Sequence, residues 1–297
     1  MIDFIILGAQ KSATSALQDS LRAHPRIYMP PGESPFFEDP DFSNEVWLDF
    51  GEGLNSDVVK GIKRPDYLCT DLSRTRIKQV LPESKFIVVL REPVSRAISS
   101  YCYMVRHAHL PAKPINKGMV DCVNAYKNGE NSRAASVISY GLYGEHLKQW
   151  FNLYGKEKFL ILSQEDVSNR LPQVLNLCLN HLGIYEDDNY KYDVKVKKSN
   201  MGLYDTELLK IARFASIIKT KRLIGSERRV PRNIIANSAG FFLNKMIDLI
   251  AKIKGQRREK LCDVLQIELE NIYKKDLELL IKELPLINLN WLAKYED

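Results

Sequence analysis

The stretch FIILGAQKSATSALQDSL, residues 4–21, decides the fold class of this chain. Its first four residues are apolar and include two β-branched isoleucines, a composition typical of a short buried strand. Gly8 follows the strand, and Leu17 and Leu21 then lie one helical turn apart. The stretch therefore predicts a strand, a loop and a helix, and the start of such a helix is a favourable place for an anion.

The strand and helix pattern recurs along the chain. Three further strands are expected, within residues 57–68 and at residues 86–90 and 159–162. Helices follow them: one at residues 73–81, one with Pro93 at its first position, and one that ends near Gly183. Strands that alternate with helices predict an α/β fold, a P-loop-like parallel sheet flanked by helices, with ligands at the carboxyl ends of its strands.

After residue 200 the strand pattern fades and helical spacing dominates. Apolar residues share one helical face in residues 206–225, 241–255 and 258–284. The segment KTKRLIGSERRVPRN, residues 219–233, is basic and predicts a mobile loop. We expect one domain over residues 1–297, with an α/β core at 1–200 and a mainly helical C-terminal part at 201–297.

The composition excludes several classes of protein. Hydrophobic residues make up 45% and charged residues 27% of the chain, which are ordinary globular values and argue against disorder or a fibrous repeat. The net charge of +6 suits an anionic ligand, and basic residues spread over a solvated surface explain it equally well. The five cysteines show no CxxC or Cys/His spacing, which predicts reduced thiols and no metal site.

The start of the chain and its apolar runs bear on location. MIDFIILGAQ has neither the positive region nor the small-residue cleavage site of a signal peptide. We find no apolar run of the length that crosses a membrane. A soluble cytoplasmic protein without a membrane span is therefore expected.

The spacing of the loop after Gly8 indicates which anion it holds. A Walker loop, GxxxxGK[ST], places its lysine immediately after a second glycine, so that the lysine reaches the β and γ phosphates. Here Lys11 comes early and no Gly-Lys pair follows. Hydroxyls lie at the predicted helix start, on Ser12, Thr14 and Ser15. Because a helix N-terminus favours negative charge, the loop suits one phosphate-like group beside a lysine rather than a triphosphate with magnesium.

The segments GAQKSATSAL, residues 8–17, and VVLREPVSRAISSY, residues 88–101, resemble two motifs of one known family. They are similar to the 5'-phosphosulfate loop and the 3'-phosphate motif of sulfotransferases that use 3'-phosphoadenosine 5'-phosphosulfate (PAPS). The branch is the one that includes the heparan sulfate sulfotransferases and many bacterial enzymes. The resemblance extends through HPRIYMPPGESPFF and GIKRPDYL and covers about the first two thirds of the chain. Two motifs at the expected distance make a specific signal.

The resemblance implies roles for residues that bind the cofactor. Lys11 matches the family lysine that contacts the leaving oxygen. Arg91 and Ser99 match the pair that binds the 3'-phosphate, for which an arginine offers a suitable planar fork. The structural alternatives are a solvated arginine at a strand end and a neutral serine on a helix surface.

The resemblance also implies the proton chemistry. The acceptor hydroxyl must lose a proton, so a base within hydrogen-bond reach is required. Glu33, in PPGESPFF, matches the family glutamate in that role, against the alternative of a solvated loop carboxylate. Lys63, in GIKRPDYL, matches a second family lysine near the sulfuryl group, against the alternative of a solvated lysine at a strand end.

Further positions are implied to contact the cofactor. The rest of the loop contributes Ser12, Ala13, Thr14 and Ser15. Many relatives have glycine in place of Ala13, and we expect its small Cβ to be tolerated where the backbone approaches the sulfonate. Tyr143 stands where relatives shape the cleft, with aromatic packing as the alternative. Arg229 falls in the basic segment, where relatives close over the nucleotide.

The sequence therefore predicts a sulfotransferase that moves a sulfuryl group from PAPS to a hydroxyl, or an amine, of a carbohydrate, glycolipid or small natural product. Adenosine 3',5'-bisphosphate is the second product. No metal is expected, and no nucleic-acid partner, since residues 219–233 lack interleaved aromatics. The alternatives are a P-loop small-molecule kinase, which ATP-dependent turnover would support, and a non-catalytic nucleotide-binding interaction protein, which would tolerate loss of Glu33.

Overall fold

The computed structural model describes residues 1–43, 50–51, 53–185, 202–222, 229–255 and 258–295. Its central element is a sheet of five strands, β1 (Phe4–Gly8), β2 (Ile27–Tyr28), β3 (Val59–Lys63), β4 (Lys85–Leu90) and β5 (Phe159–Ser163). The strands lie in the order β2-β3-β1-β4-β5 and are all parallel. β1 has a strand on each side, and all five of its residues are buried, which explains its unbroken apolar run.

Helices occupy much of the rest of the described chain. In chain order they are α1 (Thr14–Leu21), α2 (Asp71–Val80), α3 (Pro93–Arg106), α4 (Ile115–Lys127), α5 (Arg133–Ser139), α6 (Tyr143–Tyr154), α7 (Gln164–Asn169), α8 (Leu171–Leu182), α9 (Thr206–Lys219), α10 (Ile234–Lys254) and α11 (Asp263–Glu283). Two antiparallel strands, β6 (Thr220–Arg222) and β7 (Arg229–Pro231), lie between α9 and α10. The predicted α/β fold, a parallel sheet flanked by helices, is confirmed.

Local signals set the ends of several helices. Pro93 is the first residue of α3, as predicted, and Gly183 ends α8 with a left-handed φ of 77°. Asn233 caps α10, because its side chain accepts the Ala236 N–H at 2.8 Å. α10 therefore begins at Ile234, earlier than its apolar spacing predicts.

One hydrophobic core packs α1 and α8 against a face of the sheet. Alternate residues of β1 and β4 contribute to it, among them Phe4 and Ile87, as period-2 strands require. Leu17 and Leu21 of α1 are both fully buried in this cluster, as their spacing predicts. The packing fixes α1 on the sheet and so places the loop between β1 and α1 at the carboxyl end of β1.

The shortest strands were not predicted from the sequence pattern. β2 has two residues and pairs with β3, and neither length nor alternation marks it. β6 and β7 have three residues each, rich in charge, and lie within the segment predicted as a mobile basic loop. The rest of that loop, residues 223–228, lies outside the described residues. Strands this short depend on their partner strand rather than on their own sequence.

The chain divides into two compact units. The first comprises residues 1–92, 142–199 and 274–297 and contains the five-stranded sheet. The second comprises residues 93–141 and 200–273 and contains α3 to α5, α9, α10 and the β6–β7 hairpin. The expected division into a core before residue 200 and a helical part after it stays a prediction.

α10 bears on the expectation that no segment crosses a membrane. Its residues Ile234–Ile253 form a helix with the length and composition of a membrane span, and it is the one such helix among the residues that the structure describes. Length and composition do not distinguish a spanning helix from one that lies flat or packs on protein. The absence of a membrane span therefore stays a prediction.

Candidate active site

The loop between β1 and α1 depends on glycine at its first bend. Lys11 and Ala13 have φ angles of 69° and 65°, in the left-handed region, and Gly8 has a φ of 156°. A Cβ on Gly8 would lie 3.0 Å from the Pro65 carbonyl oxygen and 3.1 Å from Leu68 Cβ. Glycine at position 8 therefore allows the loop to pass close to residues 65–68.

α1 begins without a side-chain cap. Ala13 occupies the position before the helix and contributes no capping oxygen. The first N–H groups of a helix have no partner within it and form the positive end of the helix dipole. Ser12 is fully buried, and its hydroxyl has no hydrogen-bond partner among the residues that the structure describes. Together these features make the start of α1 a place that fits an anion.

Lys63 reaches the start of α1 from the end of β3. Its side chain is 2% exposed, and Nζ donates a hydrogen bond to Ser15 Oγ at 2.8 Å. Nζ also lies 3.7 Å from Glu33 Oε1. Burial lowers the pKa of Lys63, and the charge of the Glu33 carboxylate opposes that shift. An anion bound here would further favour the charged form of this desolvated lysine.

Arg64 connects three carboxylates beside the loop. Its Nη1 lies 2.6 Å from Glu33 Oε2, and its Nη2 lies 2.6 Å from Glu38 Oε2. Nη2 also lies 3.0 Å from Asp66 Oδ2, and the other oxygen of Asp66 accepts a hydrogen bond from Gln10 Nε2 at 3.1 Å. The network thus links Glu33 to the loop that follows β1.

Glu33 stands on a loop that α1 holds in place. Gln18 Nε2 donates to the carbonyl oxygens of Pro30, at 2.9 Å, and Gly32, at 2.8 Å. Gln18 itself is buried, whereas the side chain of Glu33 is 40% exposed. The helix whose start fits the anion therefore also positions the carboxylate, which remains open to a ligand.

Tyr67 holds the other side of the same loop. Its buried hydroxyl donates to the Ser34 carbonyl oxygen and accepts the Phe37 N–H at 3.1 Å. The Ser34 N–H donates to the Lys63 carbonyl oxygen at 3.0 Å. Burial raises the pKa of Tyr67, which keeps the hydroxyl protonated as a donor. Gln18, Arg64 and Tyr67 were not predicted as site residues, because their partners are distant in the chain.

Arg91, at the end of β4, contacts the same loop. Its Nη1 donates to the Lys11 carbonyl oxygen at 3.1 Å. The fully buried Tyr143 donates its hydroxyl to the Arg91 carbonyl oxygen at 2.8 Å. Tyr143 thus orients the backbone of Arg91, and the side chain of Lys11 is half-buried in the loop.

Two residues of the predicted site belong to the second unit. Ser99 is buried in α3, and its Oγ accepts a hydrogen bond from Tyr204 OH at 3.4 Å. Arg229 Nε donates to Thr220 Oγ1 at 2.8 Å, and Nη2 donates to the Thr220 carbonyl oxygen at 3.1 Å. The Arg229 side chain therefore ties β7 to β6, and the roles of Ser99 and Arg229 toward a nucleotide stay predictions.

A cavity of about 770 Å³ lies elsewhere in the first unit. It is bordered by the end of β5, by α7 and α8, and by residues 283–289. None of the predicted site residues lines it. We therefore place the candidate site at the loop after β1, where the charged groups converge, and not in this largely apolar cavity.

The first unit brings together the groups that sulfuryl transfer requires. A helix start and a buried lysine can hold a negative group, and a carboxylate 3.7 Å from that lysine can take a proton from a neighbouring hydroxyl. Thr14, in the first turn of α1, is buried beside them. Within the described ranges, no group of three or more His, Cys, Asp or Glu residues is arranged to hold a metal ion.

Comparison with known proteins gives a consistent result. A heparan sulfate glucosamine 3-O-sulfotransferase 6 of Mus musculus is 31% identical over 167 residues, which cover 54% of this chain and 46% of that protein. A heparan sulfate glucosamine 3-O-sulfotransferase 5 of Homo sapiens is 24% identical over 237 residues, or 76% of this chain and 63% of that protein. The chain spans about half the length of several curated relatives that it matches.

A solved structure shares the fold. The crystal structure of a sulfotransferase from Alicyclobacillus acidocaldarius has a TM-score of 0.56 at 22% identity, and the match covers 73% of this chain and 96% of that one. The model of the sulfotransferase domain matches residues 1–202, which include the whole five-stranded sheet. The chain therefore belongs to the sulfotransferase family.

Proposed function

We propose that this chain transfers a sulfuryl group from PAPS to a hydroxyl, or an amine, of a carbohydrate, glycolipid or small natural product. The observation that carries the proposal is the position of Lys63 Nζ, 2.8 Å from Ser15 Oγ at the start of α1 and 3.7 Å from Glu33. Two curated relatives are named for sulfation of a heparan sulfate sugar, which supports a carbohydrate acceptor. A cytoplasmic location is part of the same proposal.

The start of α1 would hold the sulfated 5' end of the cosubstrate. PAPS supplies the sulfuryl group and leaves as adenosine 3',5'-bisphosphate. The N–H groups of Ser12, Ala13, Thr14 and Ser15, and the hydroxyls among them, would bind the phosphosulfate at the uncapped start of α1. Arg91, whose guanidinium already contacts this loop, would bind the 3'-phosphate together with Ser99. Tyr143 would act by orienting Arg91, and Arg229 would contact the nucleotide from the hairpin.

The two lysines and the glutamate would have different roles in the reaction. Lys11 and Lys63 stabilise the negative charge that develops on the leaving phosphate, because a cation in a water-poor site interacts strongly with charge formed there. Glu33 takes the proton of the acceptor group. Arg64 and Lys63 hold the side chain of Glu33 in place through ion pairs.

Calorimetric titration with adenosine 3',5'-bisphosphate, beside ADP with magnesium, tests the cofactor class without knowledge of the acceptor. Binding of the bisphosphate and none of ADP is the expected result. Transfer of label from radiolabelled PAPS to a panel of sugars and glycolipids then tests the reaction itself. A preference for ADP with magnesium, followed by turnover of ATP, would replace this proposal with a small-molecule kinase. Tight bisphosphate binding with unchanged turnover in a Glu33 variant would indicate a different base.

A further inference from the structure

α10 carries an exposed apolar stripe along its whole length. Its members repeat at intervals of four and three residues, which places them on one face of the helix. The α10 stripe consists of Ile235, Ala239, Phe242, Met246, Leu249 and Ile253. Among the described residues of this stripe, Ile235 is 83% exposed, Phe242 is 67% exposed and Ile253 is 75% exposed. A large apolar surface of this kind marks an interaction site.

The opposite face of α10 is anchored within its own unit. Ile247 and Ala251 are buried, and a Cβ on Gly240 would lie 2.8 Å from the Ala215 carbonyl oxygen of α9. Asp248 pairs with Arg106 of α3 at 2.9 Å. A helix that crossed a membrane would break this ion pair and leave the charge of Asp248 in hydrocarbon. α10 is therefore held with one face on protein and the other face outward.

The surroundings of α10 are strongly basic. Residues 219–260 contain twelve lysines and arginines against three aspartates and glutamates, a net charge of +9, whereas the whole chain has only +6. The remaining residues thus carry a net charge of −3. Lys245 and Lys252 are exposed on α10 itself, and Arg232 is exposed just before it. The apolar stripe thus belongs to a strongly basic part of the sequence, and such a charge attracts a negative surface.

We propose that α10 lies flat on an anionic membrane surface, with the α10 stripe in the boundary between headgroups and acyl chains. Bulky apolar residues on one face and lysines beside them are the features of a helix that binds membranes in the interfacial plane. A second copy of this chain offers the same positive charge and would be repelled, whereas anionic lipid headgroups are attracted. This membrane binding is independent of the proposed sulfuryl transfer. It would hold the enzyme at the lipid surface without a segment that spans the membrane.

Vesicle flotation tests the proposal directly. The purified chain, residues 1–297, is mixed with vesicles of phosphatidylcholine alone, or of phosphatidylcholine with phosphatidylglycerol, and the protein bound to the floating fraction is measured. Binding is expected with phosphatidylglycerol present and is expected to weaken at high salt, because salt screens the attraction. No binding to the anionic vesicles, or equal binding to both kinds, would overturn the proposal.

Two variants and one matched control separate the stripe from general stickiness. Phe242→Asp with Leu249→Asp is expected to lower vesicle binding at least about tenfold, by loss of apolar burial and addition of negative charge. Lys252→Gln removes one positive charge and is expected to lower binding about fivefold. Leu72→Asp is the control, because Leu72 of α2 is 55% exposed, close to the 50% of Leu249. This variant should bind vesicles as the wild type does.

The mass of the protein in solution tests the competing occupant. Light scattering without vesicles should show the same mass for the wild type and for the Phe242→Asp, Leu249→Asp variant. A wild-type dimer that this variant converts to monomers would assign the stripe to a second copy of the chain and overturn the membrane proposal. Bisphosphate titration of the same variant reports on the nucleotide site separately, so loss of vesicle binding alone bears only on α10.

Discussion

Glu33 and Lys63 illustrate how neighbouring charges set the chemistry of single residues. Glu33 lies 3.7 Å from the Lys63 Nζ and 2.6 Å from Arg64 Nη1, so two cations fix the position of its side chain. Burial desolvates Lys63 and lowers its pKa. An anion bound beside Lys63 stabilises its charged form. A negative cosubstrate therefore favours the charged form of Lys63 when that charge is needed.

Replacement of Glu33 tests the proposed base at the residue scale. Glu33→Gln keeps the size of the side chain and removes its capacity to take a proton, so kcat should fall by about 100-fold or more. Bisphosphate affinity should change little, since the helix start and the lysines remain. Glu38→Gln, which alters another carboxylate on Arg64, should cost far less turnover. Equal losses of turnover in the two variants would mean that the effect comes from the disturbed ion pairs of Arg64 and not from loss of a base at Glu33.

Arg91 is tested by comparison of two nucleotides. Arg91→Ala should weaken the binding of PAPS by about tenfold to 100-fold, which is the contribution of a charge-assisted hydrogen bond to phosphate. Competition with the bisphosphate measures this loss. Adenosine 5'-phosphosulfate lacks the 3'-phosphate and should be affected much less. Because Arg91 also contacts the Lys11 carbonyl oxygen, equal weakening of both nucleotides would assign it to loop support instead.

At the scale of elements, α1 has two functions at once. Its uncapped start fits an anion, and Gln18, one turn further along, holds the loop that carries Glu33. Both functions depend on the burial of Leu17 and Leu21 against the sheet. Any displacement of α1 therefore moves the anion site and the base together.

Loss of the Gln18 amide should separate these two functions. Gln18→Leu leaves the Pro30 and Gly32 carbonyl oxygens without their donor, at a cost of about 1–3 kcal/mol in the free energy of unfolding. We expect kcat to fall more than bisphosphate affinity, because the base moves while the helix start stays. Gln79→Leu, on the exposed face of α2, is the matched control and should change neither value. A fall in affinity as large as that in kcat would contradict a purely positioning role.

α6 has a cap supplied by another helix, and this gives a pH dependence. The buried Asp276 of α11 accepts the N–H groups of Gly144 and Glu145, each at 2.8 Å. Burial raises the pKa of Asp276 from 3.8 to about 6, although backbone N–H donors oppose this shift. The folded state thus binds this proton more tightly than the unfolded state does.

The contribution of Asp276 to stability should therefore fall as the pH rises from about 4 to about 6. The loss is at most about 3 kcal/mol in the free energy of unfolding, from a shift of about two pKa units. Urea unfolding at several pH values measures it, and Asp276→Asn should remove this part of the pH dependence. Glu278→Gln, exposed on the same helix, should leave it in place. Parallel curves for the wild type and Asp276→Asn would contradict the assignment.

At the scale of the whole molecule, ligand binding should appear as thermal stability. A ligand present at about 100 times its Kd stabilises the folded state by about 2.7 kcal/mol. For a chain of this size the midpoint of thermal unfolding should rise by about 4 °C with adenosine 3',5'-bisphosphate. ADP with magnesium should give no such rise. The variant Lys63→Met should reduce the shift, and an unchanged shift would place the bisphosphate away from Lys63.

The sequence was sufficient for the features that depend on local pattern. An apolar run ended by Gly8 specifies β1 and its loop, and Pro93 and Gly183 mark helix ends, because strand burial and helix capping act over a few residues. Family membership followed from two motifs for the same reason, since each motif is contiguous. β2 and the β6–β7 hairpin were not predicted from the sequence, because each of these short strands depends on its partner strand.

Only the tertiary structure decided which groups meet. The bond from Lys63 to Ser15 joins residues 48 apart in the chain, and the pair of Arg64 with Glu33 joins residues 31 apart. No local pattern contains such distances, because they follow from the pairing of β1 with β3 and from the packing of α1 against the sheet. The outward face of α10 has the same origin: the spacing of its apolar residues predicts a helix, and only the packing on α9 shows which face is left exposed.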